Sequence, residues 1–453
     1  MSESVSKKGP GHSFAAFLGL IIAVALSLQP QQSLSASPTE NTATSAISTT
    51  DRESALQQIK AALTKGYFDR AKLSLVLQKM EAAERSGRYE IADPRKFAEL
   101  LTSDMQVVTG DTHLYLNFQP EWYRAALIPP DPNSIALENA ADVKHSRAFN
   151  HGLAEMRILP GNVRYLRIVG FFWVDGETVN VMDSAMRFLK GGRAIIIDLR
   201  SNRGGETNAA HYLLGHFFEP DELMMSVIST GKEDVQVRAS PYLKSERLRG
   251  IPLYVVVNKR TRSAAEAVAY TVRQFKLGEV VGERTEGAAH FSEDAAIAPF
   301  YRLSVPSGRT EDPITHADWE GIGVAPTIAA KSWEALDVAY SHSLKKLIAS
   351  AANGEEKNFL VWAIDGLAAK TAELAPNRAQ LSSFAGKYGA ASIVLREDGL
   401  WYIAPNGAEI KLKPLGQTNL FEDESDDTLR VRIGADALDV LRPIPELNRH
   451  YSR

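Results

Sequence analysis

Three stretches after residue 50 repeat apolar residues at helical spacing. Asp51 to Lys65 sets Leu56, Ile59 and Leu63 on one face, Ala71 to Ser86 does the same with Leu73, Leu77 and Met80, and Asp93 to Met105 completes the group. Gly66 and Gly87 are placed as C-terminal caps, and Asp93-Pro94 as a capping side chain before a proline in the first turn. From Val163 the period changes. Short apolar runs at Val163 to Val169, Ala194 to Leu199, Leu253 to Val257 and Glu279 to Gly282 alternate with helical segments at Thr178 to Leu189, after Gly205 and from Ser263. Alternation of this kind builds a mostly parallel, buried sheet, so the fold class is α/β. His290 to Val305 alternates apolar and polar positions, as a more exposed antiparallel strand or hairpin does. A helical stretch from Trp333 to Leu374 is broken at Ala352-Asn-Gly354. Beyond Phe384, short strands such as Ser392 to Arg396, Leu400 to Ile403 and Ile410 to Lys413 are separated by the Asp398-Gly399 and Asn406-Gly407 hairpin signals.

These patterns divide the chain into an N-terminal helical subdomain at 51–118, an α/β domain at 119–335, a helical connector at 336–380 and a small β domain at 381–453. The first residues read differently. Lys7 and Lys8 precede an apolar run from Phe14 to Leu28 and then the small-residue stretch Ser33-Leu-Ser-Ala36, a signal-peptide layout over 1–36, followed by a Ser/Thr/Ala/Pro linker at 37–50. The run is shorter than the roughly 20 residues a membrane helix needs, so cleavage is expected and no stable membrane span, with an uncleaved anchor as the alternative. The mature chain is then exported, most simply to a periplasm. Composition adds exclusions: 44% hydrophobic and 23% charged residues with a net charge of −4 give no basic bias for nucleic acid. With no cysteine there is no disulfide framework.

Candidate chemistry gathers at two strand-to-turn junctions. Ser263, in Thr261-Arg-Ser-Ala-Ala-Glu266, stands where the Leu253 to Val257 strand gives way to a helix, and Glu266 follows at capping-box spacing. A serine there caps the helix and also meets free N–H groups and the positive end of the dipole. Upstream, Ile197-Asp-Leu-Arg-Ser-Asn-Arg-Gly-Gly205 ends in paired glycines whose amides suit an oxyanion. Asp198 and Arg200 leave that strand on one face and are placed to pair beside the turn. Metal chemistry is not indicated: His211 and His216 are five apart, off the i, i+4 spacing, and no His-Glu-x-x-His occurs. No nucleotide motif or other cofactor signature is present, and Ser343-Leu-Lys-Lys346 lacks its Lys-Thr-Gly companion.

The blocks Ile197 to Gly205, Thr261 to Glu266, Val281-Gly-Glu-Arg-Thr-Glu-Gly287 and Trp319-Glu-Gly-Ile-Gly-Val-Ala-Pro326 resemble, in order, those of the tail-specific (C-terminal processing) serine peptidases. The N-terminal helices resemble the branch containing interphotoreceptor retinoid-binding protein modules. The resemblance implies a crotonase/ClpP-like ββα core, peptide or protein substrates, Ser263 as nucleophile, and oxyanion donors from the amides of Ala264 and Gly204-Gly205. The chain departs from the family where Ala288 stands at the position of its general-base lysine, where Arg167 stands at the histidine position of the tricorn-like branch, and where the residues before Val163 are too few for a PDZ module. Glu320 matches that branch's glutamate and is expected to orient a base or bind substrate. His290, two residues past the lysine position, is the leading base candidate because imidazole titrates near neutral pH. His316 is a weaker one. His113, in Gly110-Asp-Thr-His-Leu114, resembles the family's Asp-Pro-His-Thr block and is expected at the cleft wall in a structural role. With the lysine replaced, a peptide- or apolar-ligand-binding module that keeps the fold without hydrolysis stays open as the alternative.

Overall fold

The computed structural model describes residues 46–129, 131–370, 376–417 and 419–453. The signal peptide expected at 1–36, and the linker up to residue 45, lie outside the described residues. Among them no helix is long and apolar enough to cross a membrane.

The chain opens with α1 (Thr49–Gly66), α2 (Arg70–Arg85) and α3 (Pro94–Thr109). Asp93 caps α3 by accepting from the Arg95 and Lys96 amides, with Pro94 in the first turn, where its missing N–H costs nothing. Gly87 past α2 takes the left-handed conformation that suits a cap, φ 71°. Gly66 does not serve as one. It is the last residue of α1, and a Cβ on it would lie 3.1 Å from Val305, so a glycine lets the helix approach the sheet beneath.

That sheet holds β1 (Tyr115–Phe118) and four later strands. After β1 come α4 (Pro120–Ala126) and α5 (Pro132–Ala148), almost wholly exposed and without a pronounced apolar stripe, which is why the hydrophobic pattern leaves them unread. Next are β2 (Leu153–Leu159), β3 (Val163–Ile168), α6 (Glu177–Lys190), β4 (Ala194–Asp198), α7 (Thr207–Gly215), β5 (Leu223–Ser229), β6 (Val235–Arg238), β7 (Leu253–Val257), α8 (Ala264–Gln274), β8 (Glu279–Gly282), β9 (His290–Ile297), β10 (Tyr301–Glu311) and β11 (Ile328–Ala329).

The central sheet runs β11-β8-β7-β4-β3-β2, parallel except for β2. All five residues of β4 and of β7 are buried, because both faces are covered. The period of two divides them. Ile195, Ile197, Val255 and Val257 pack with α6, α7 and α8, while Ala194, Ile196, Tyr254 and Val256 pack under α9 (Ala335–Ala349) and α10 (Gly354–Lys370). Each such aliphatic side chain contributes about 1.5–3 kcal/mol of transfer free energy, so these strands are the rigid base from which the turns project.

The β9–β10 hairpin matches the alternation of the sequence. β10 also pairs β1 and β5, and β5 pairs β6. Ile297, Tyr301, Leu303 and Val305 of this second sheet pack on Ile59, Leu63, Phe97 and Met105 of α1 and α3. After α11 (Arg378–Phe384), strands β12 (Gly386–Tyr388) to β19 (Arg449–Ser452) form an antiparallel meander around its own core of Tyr388, Ile393, Phe421 and Val431.

Candidate active site

Ser263 is held in a backbone conformation that side-chain-bearing residues rarely adopt, φ 54° and ψ −124°, between the end of β7 and the start of α8. The surroundings over-determine it. Arg262 N–H donates to the Asn202 carbonyl at 3.0 Å, and Thr261 Oγ1 donates to the Leu199 carbonyl at 2.9 Å, so the turn after β7 is laced to the turn after β4. The Ser263 N–H donates to Glu266 Oε2 at 2.9 Å. Glu266 is fully buried and also accepts from the Gly287 and Ala288 amides, at 2.7 and 2.8 Å, and from the Thr285 hydroxyl. Burial raises its pKa against those hydrogen bonds. It acts as the hub joining the serine turn to the 285–288 loop, and Ala288 offers that loop no base.

The twin glycines pack directly on this turn. A Cβ on Gly204 (φ 93°) would lie 2.8 Å from Ser263 Cβ and 3.0 Å from the Ala264 nitrogen, and one on Gly205 (φ 127°) would lie 2.1 Å from the Phe171 carbonyl oxygen, so only glycine fits. The expected donor role of Gly204 is corrected by its hydrogen bonding: its N–H donates to Asn202 Oδ1 at 2.8 Å and is spent on shaping the turn. Among the described residues the N–H groups of Gly205 and Ala264 donate to no partner, the latter as the first amide of α8. Asp198 and Arg200 brace the turn from below. The Arg200 guanidinium donates to both Asp198 oxygens, at 2.6 Å to Oδ2, and to the Ser332 carbonyl at 2.6 Å, while Tyr165 OH donates to Asp198 Oδ2 at 2.9 Å. Arg167 takes no part in these contacts. It is exposed on the strand face that carries Tyr165, and its side chain makes no hydrogen bond or ion pair among the described residues.

A cluster of histidines and carboxylates lies on the other side of Arg262. Gly110 ends α3 in the left-handed conformation, and the next residues fold back so that the His113 N–H donates to Asp111 Oδ1 at 2.9 Å. Glu320 accepts from the Ala289 and His290 amides at 2.7 and 3.0 Å and faces His113 Nδ1 at 2.9 Å. Burial alone would raise the Glu320 pKa, but the hydrogen bond from His113 and the charge of His290 outweigh it and hold the carboxyl down at about 2. An ionised carboxylate only accepts, so Nδ1 carries the proton. The other ring nitrogen, Nε2, lies 3.2 Å from Arg262 Nη2, a group that only donates, so Nε2 presents its lone pair there. His113 is therefore oriented by a buried carboxylate, with its basic nitrogen turned toward the residue before Ser263.

His290 is a different kind of histidine, and the expectation that it is the base is corrected here. Its Nδ1 lies 2.7 Å from Asp111 Oδ2 and its Nε2 3.4 Å from Asp318 Oδ2, with the Phe68 ring edge-on at 4.8 Å. Burial disfavours its charge, yet the hydrogen bonds to Asp111 and Asp318, with the charges of Asp111 and Glu320, hold its pKa up at about 9. A ring protonated at neutral pH with a carboxylate on each nitrogen is a cationic tie, not a proton acceptor. His316 is largely exposed and pairs with Glu311 at 3.2 Å. Asp111, His113 and Glu320 bring their ligand atoms within 4.8 Å of one another. Their direct hydrogen bonds, with the His290 cation beside them, already answer their charges.

The pairing of His113 with Glu320 is the feature of the site that sequence reasoning missed. The available signal was the similarity of the His113 segment to an Asp-Pro-His-Thr block; the pairing spans 207 residues and no local pattern encodes it.

Comparison with known proteins places similarity in the α/β core. Residues 162–330 match the model of peptidase family S41. Carboxyl-terminal-processing peptidase 1, chloroplastic, of Arabidopsis thaliana is 30% identical over 137 residues, 30% of this chain and 27% of the relative. C-terminal processing peptidase, chloroplastic, of Tetradesmus obliquus is 27% identical over 139 residues, 31% of this chain and 29% of the relative. The chain thus spans less than a third of the length of these two relatives. Among solved structures, a putative peptidase from Parabacteroides merdae superposes with a TM-score of 0.44 at 17% identity, covering 62% of this chain and 90% of that one. The photosystem II D1 C-terminal processing protease does so with a TM-score of 0.41 at 16% identity, covering 63% and 94%. The matched segment carries Ser263, the twin glycines and Glu320, whereas His113 lies before it. The α/β core of this chain, residues 162–330, is thus similar to peptidase family S41.

Proposed function

We propose that this chain is a serine peptidase that hydrolyses peptide bonds through an acyl-enzyme on Ser263, with His113 as general base and Glu320 as its orienting carboxylate. The observation that carries the reading is the packing of the Gly204-Gly205 turn on a strained Ser263, one residue from an arginine that caps the lone pair of a carboxylate-held imidazole. In the first step Ser263 Oγ attacks the scissile carbonyl and its proton passes to His113 Nε2. The oxyanion is received by the Gly205 and Ala264 amides. His113 then returns the proton to the leaving amine, and water repeats the sequence on the ester. Each preformed oxyanion donor is worth roughly 10²–10³ in rate, and the proton transfers about 10²–10⁴. Arg262 has to leave Nε2 before the first step.

The test is Ser263→Ala in the purified chain against a peptide library, with fluorophosphonate labelling of the parent. Turnover that survives the substitution rejects the nucleophile. The contact of Arg262 with Nε2 and the alanine at 288 favour a second reading, a peptide-binding module without hydrolysis, and a parent chain that resists fluorophosphonate while still binding peptides would establish it. The signal layout of residues 1–36 and the chloroplastic processing peptidases among the relatives support export, to a periplasm in a bacterial host. Mass spectrometry of the mature N-terminus tests this.

A further inference from the structure

Two guanidinium groups from separate turns converge on one carboxylate beside Ser263. Arg203, from the turn after β4, donates from Nη1 to Glu286 Oε2 at 2.7 Å, and Arg262, from the turn before α8, donates from Nη1 to Glu286 Oε1. Arg262 Nη2 is the group on His113 Nε2. We propose that Arg203 and Arg262 form a carboxylate receptor at the mouth of the cleft, filled by Glu286 in the free chain and by a carboxylate of the peptide substrate in the complex. The inference rests on Ser263 as nucleophile for its meaning in catalysis, but not for the binding that defines it.

Four observations carry it. The two cations share one anion, so a unit of positive charge is left over on the turn that carries Ser263. Each guanidinium has five N–H donors in a fork that fits a carboxylate, and Glu286 and His113 leave several unused. The three side chains are 45%, 33% and 29% exposed, and ion pairs this open are worth about 0–1 kcal/mol, so a guest carboxylate displaces Glu286 at little cost. The other carboxylates nearby do not compete, since Glu320 is held by His113, Asp111 by His290, and Asp318 by His290 and Arg309. Exchange also has a chemical consequence: a guest that draws Arg262 outward takes it off Nε2, so binding an acidic peptide and freeing the base are one movement. Arg262 is then a positioning and specificity residue that acts through His113.

The experiment uses the full chain carrying Ser263→Ala, which binds without turnover, and fluorescent Ala/Leu octapeptides. One Glu is walked along the peptide against Gln isosteres, and each peptide is made with a free-acid and an amidated C-terminus. The expected result is about tenfold tighter binding of at least one carboxylate-bearing peptide than of its neutral isostere, weakening with salt, as one charge-assisted pair provides. The position of that peptide separates a side-chain carboxylate from a terminal one. Adding Arg203→Ala or Arg262→Ala abolishes the preference, and Arg262→Lys restores part of it. Glu286→Gln, which removes the resident competitor, tightens acidic peptides a few-fold and keeps the test decisive should an arginine variant fail to fold. In the Ser263-bearing chain, Arg262→Ala raises kcat on neutral peptides while raising KM on acidic ones, a split that lost structure does not produce. Equal affinities for Glu and Gln and for acid and amide peptides overturn the proposal, as does a preference that survives both arginine substitutions. Failure of the Ser263→Ala turnover test, by contrast, leaves the binding difference in place.

Discussion

Gly204 and Ser263 touch backbone to side chain: a methyl group on the glycine would sit 2.8 Å from the serine Cβ. This contact holds the turn after β4 against the turn after β7, and it makes position 204 a direct handle on the serine. Gly204→Ala adds the clashing carbon at a φ of 93°, where a side chain is strained as well. The expected outcome is a loss of about 1–3 kcal/mol in stability with fluorophosphonate labelling of Ser263 slowed by far more than the change in melting temperature explains. Labelling at the parent rate would show that the glycine turn does not shape the site.

Glu320→Gln replaces the acceptor of the His113 Nδ1 proton with a group that also donates, so the imidazole loses its fixed tautomer. Turnover should fall by about 10³-fold or more while peptide affinity changes little. The same carboxyl predicts an acid limb. Its pKa is depressed to about 2 from an ordinary value near 4.5, so its contribution to stability is present above pH 4.5 and is lost as pH falls toward 2. Melting curves of the parent should drop across that window more steeply than those of the glutamine variant.

His290 predicts the opposite limb. Its pKa is raised to about 9 from near 6.5, so the stability it brings is complete below pH 6.5 and disappears as pH rises through 9. The groups facing it are Asp111, Asp318 and Glu320, with Phe68 and His113 as ring neighbours. His290→Gln should lower the melting temperature at pH 7, because Asp111 loses its cation and Asp318 keeps only Arg309, and should flatten the alkaline decline between pH 6.5 and 9. A variant that retains the parent's alkaline slope would mean that another group produces it.

Glu266→Gln puts an amide where four donors converge on a buried carboxylate. At least one donor, from Ser263, Thr285, Gly287 or Ala288, must then face an N–H. The expected cost is about 2–4 kcal/mol, read by denaturant unfolding, with loss of Ser263 labelling. A change under about 0.5 kcal/mol, the usual range for surface positions, would contradict the hub role.

Some of this was legible in one dimension. Strand β7 begins and ends at the residues its apolar run marks, because a parallel strand covered on both faces has no polar positions to blur its limits. The alternation from His290 becomes the β9–β10 hairpin for the complementary reason, one face packed and one in water. Strands β5 and β6 and helices α4 and α5 escaped notice: their faces are partly or wholly exposed, so burial wrote no period into them. Gly66 looked like a cap because local spacing allows one, and only the approach of Val305 gives its real reason.

At the site the division follows range. The serine turn, the glycine pair and the Asp198–Arg200 brace lie within a few residues of their own strands, so local stereochemistry announces them. The two histidines do not work that way. In sequence, His290 sits beside the vacant lysine position and His113 in a block that reads as structural; in space, Asp111 and Asp318 close on the first and Glu320 aligns the second. A proton's affinity for an imidazole is set by the charges and burial around it, and those belong to residues that only the folded chain brings together.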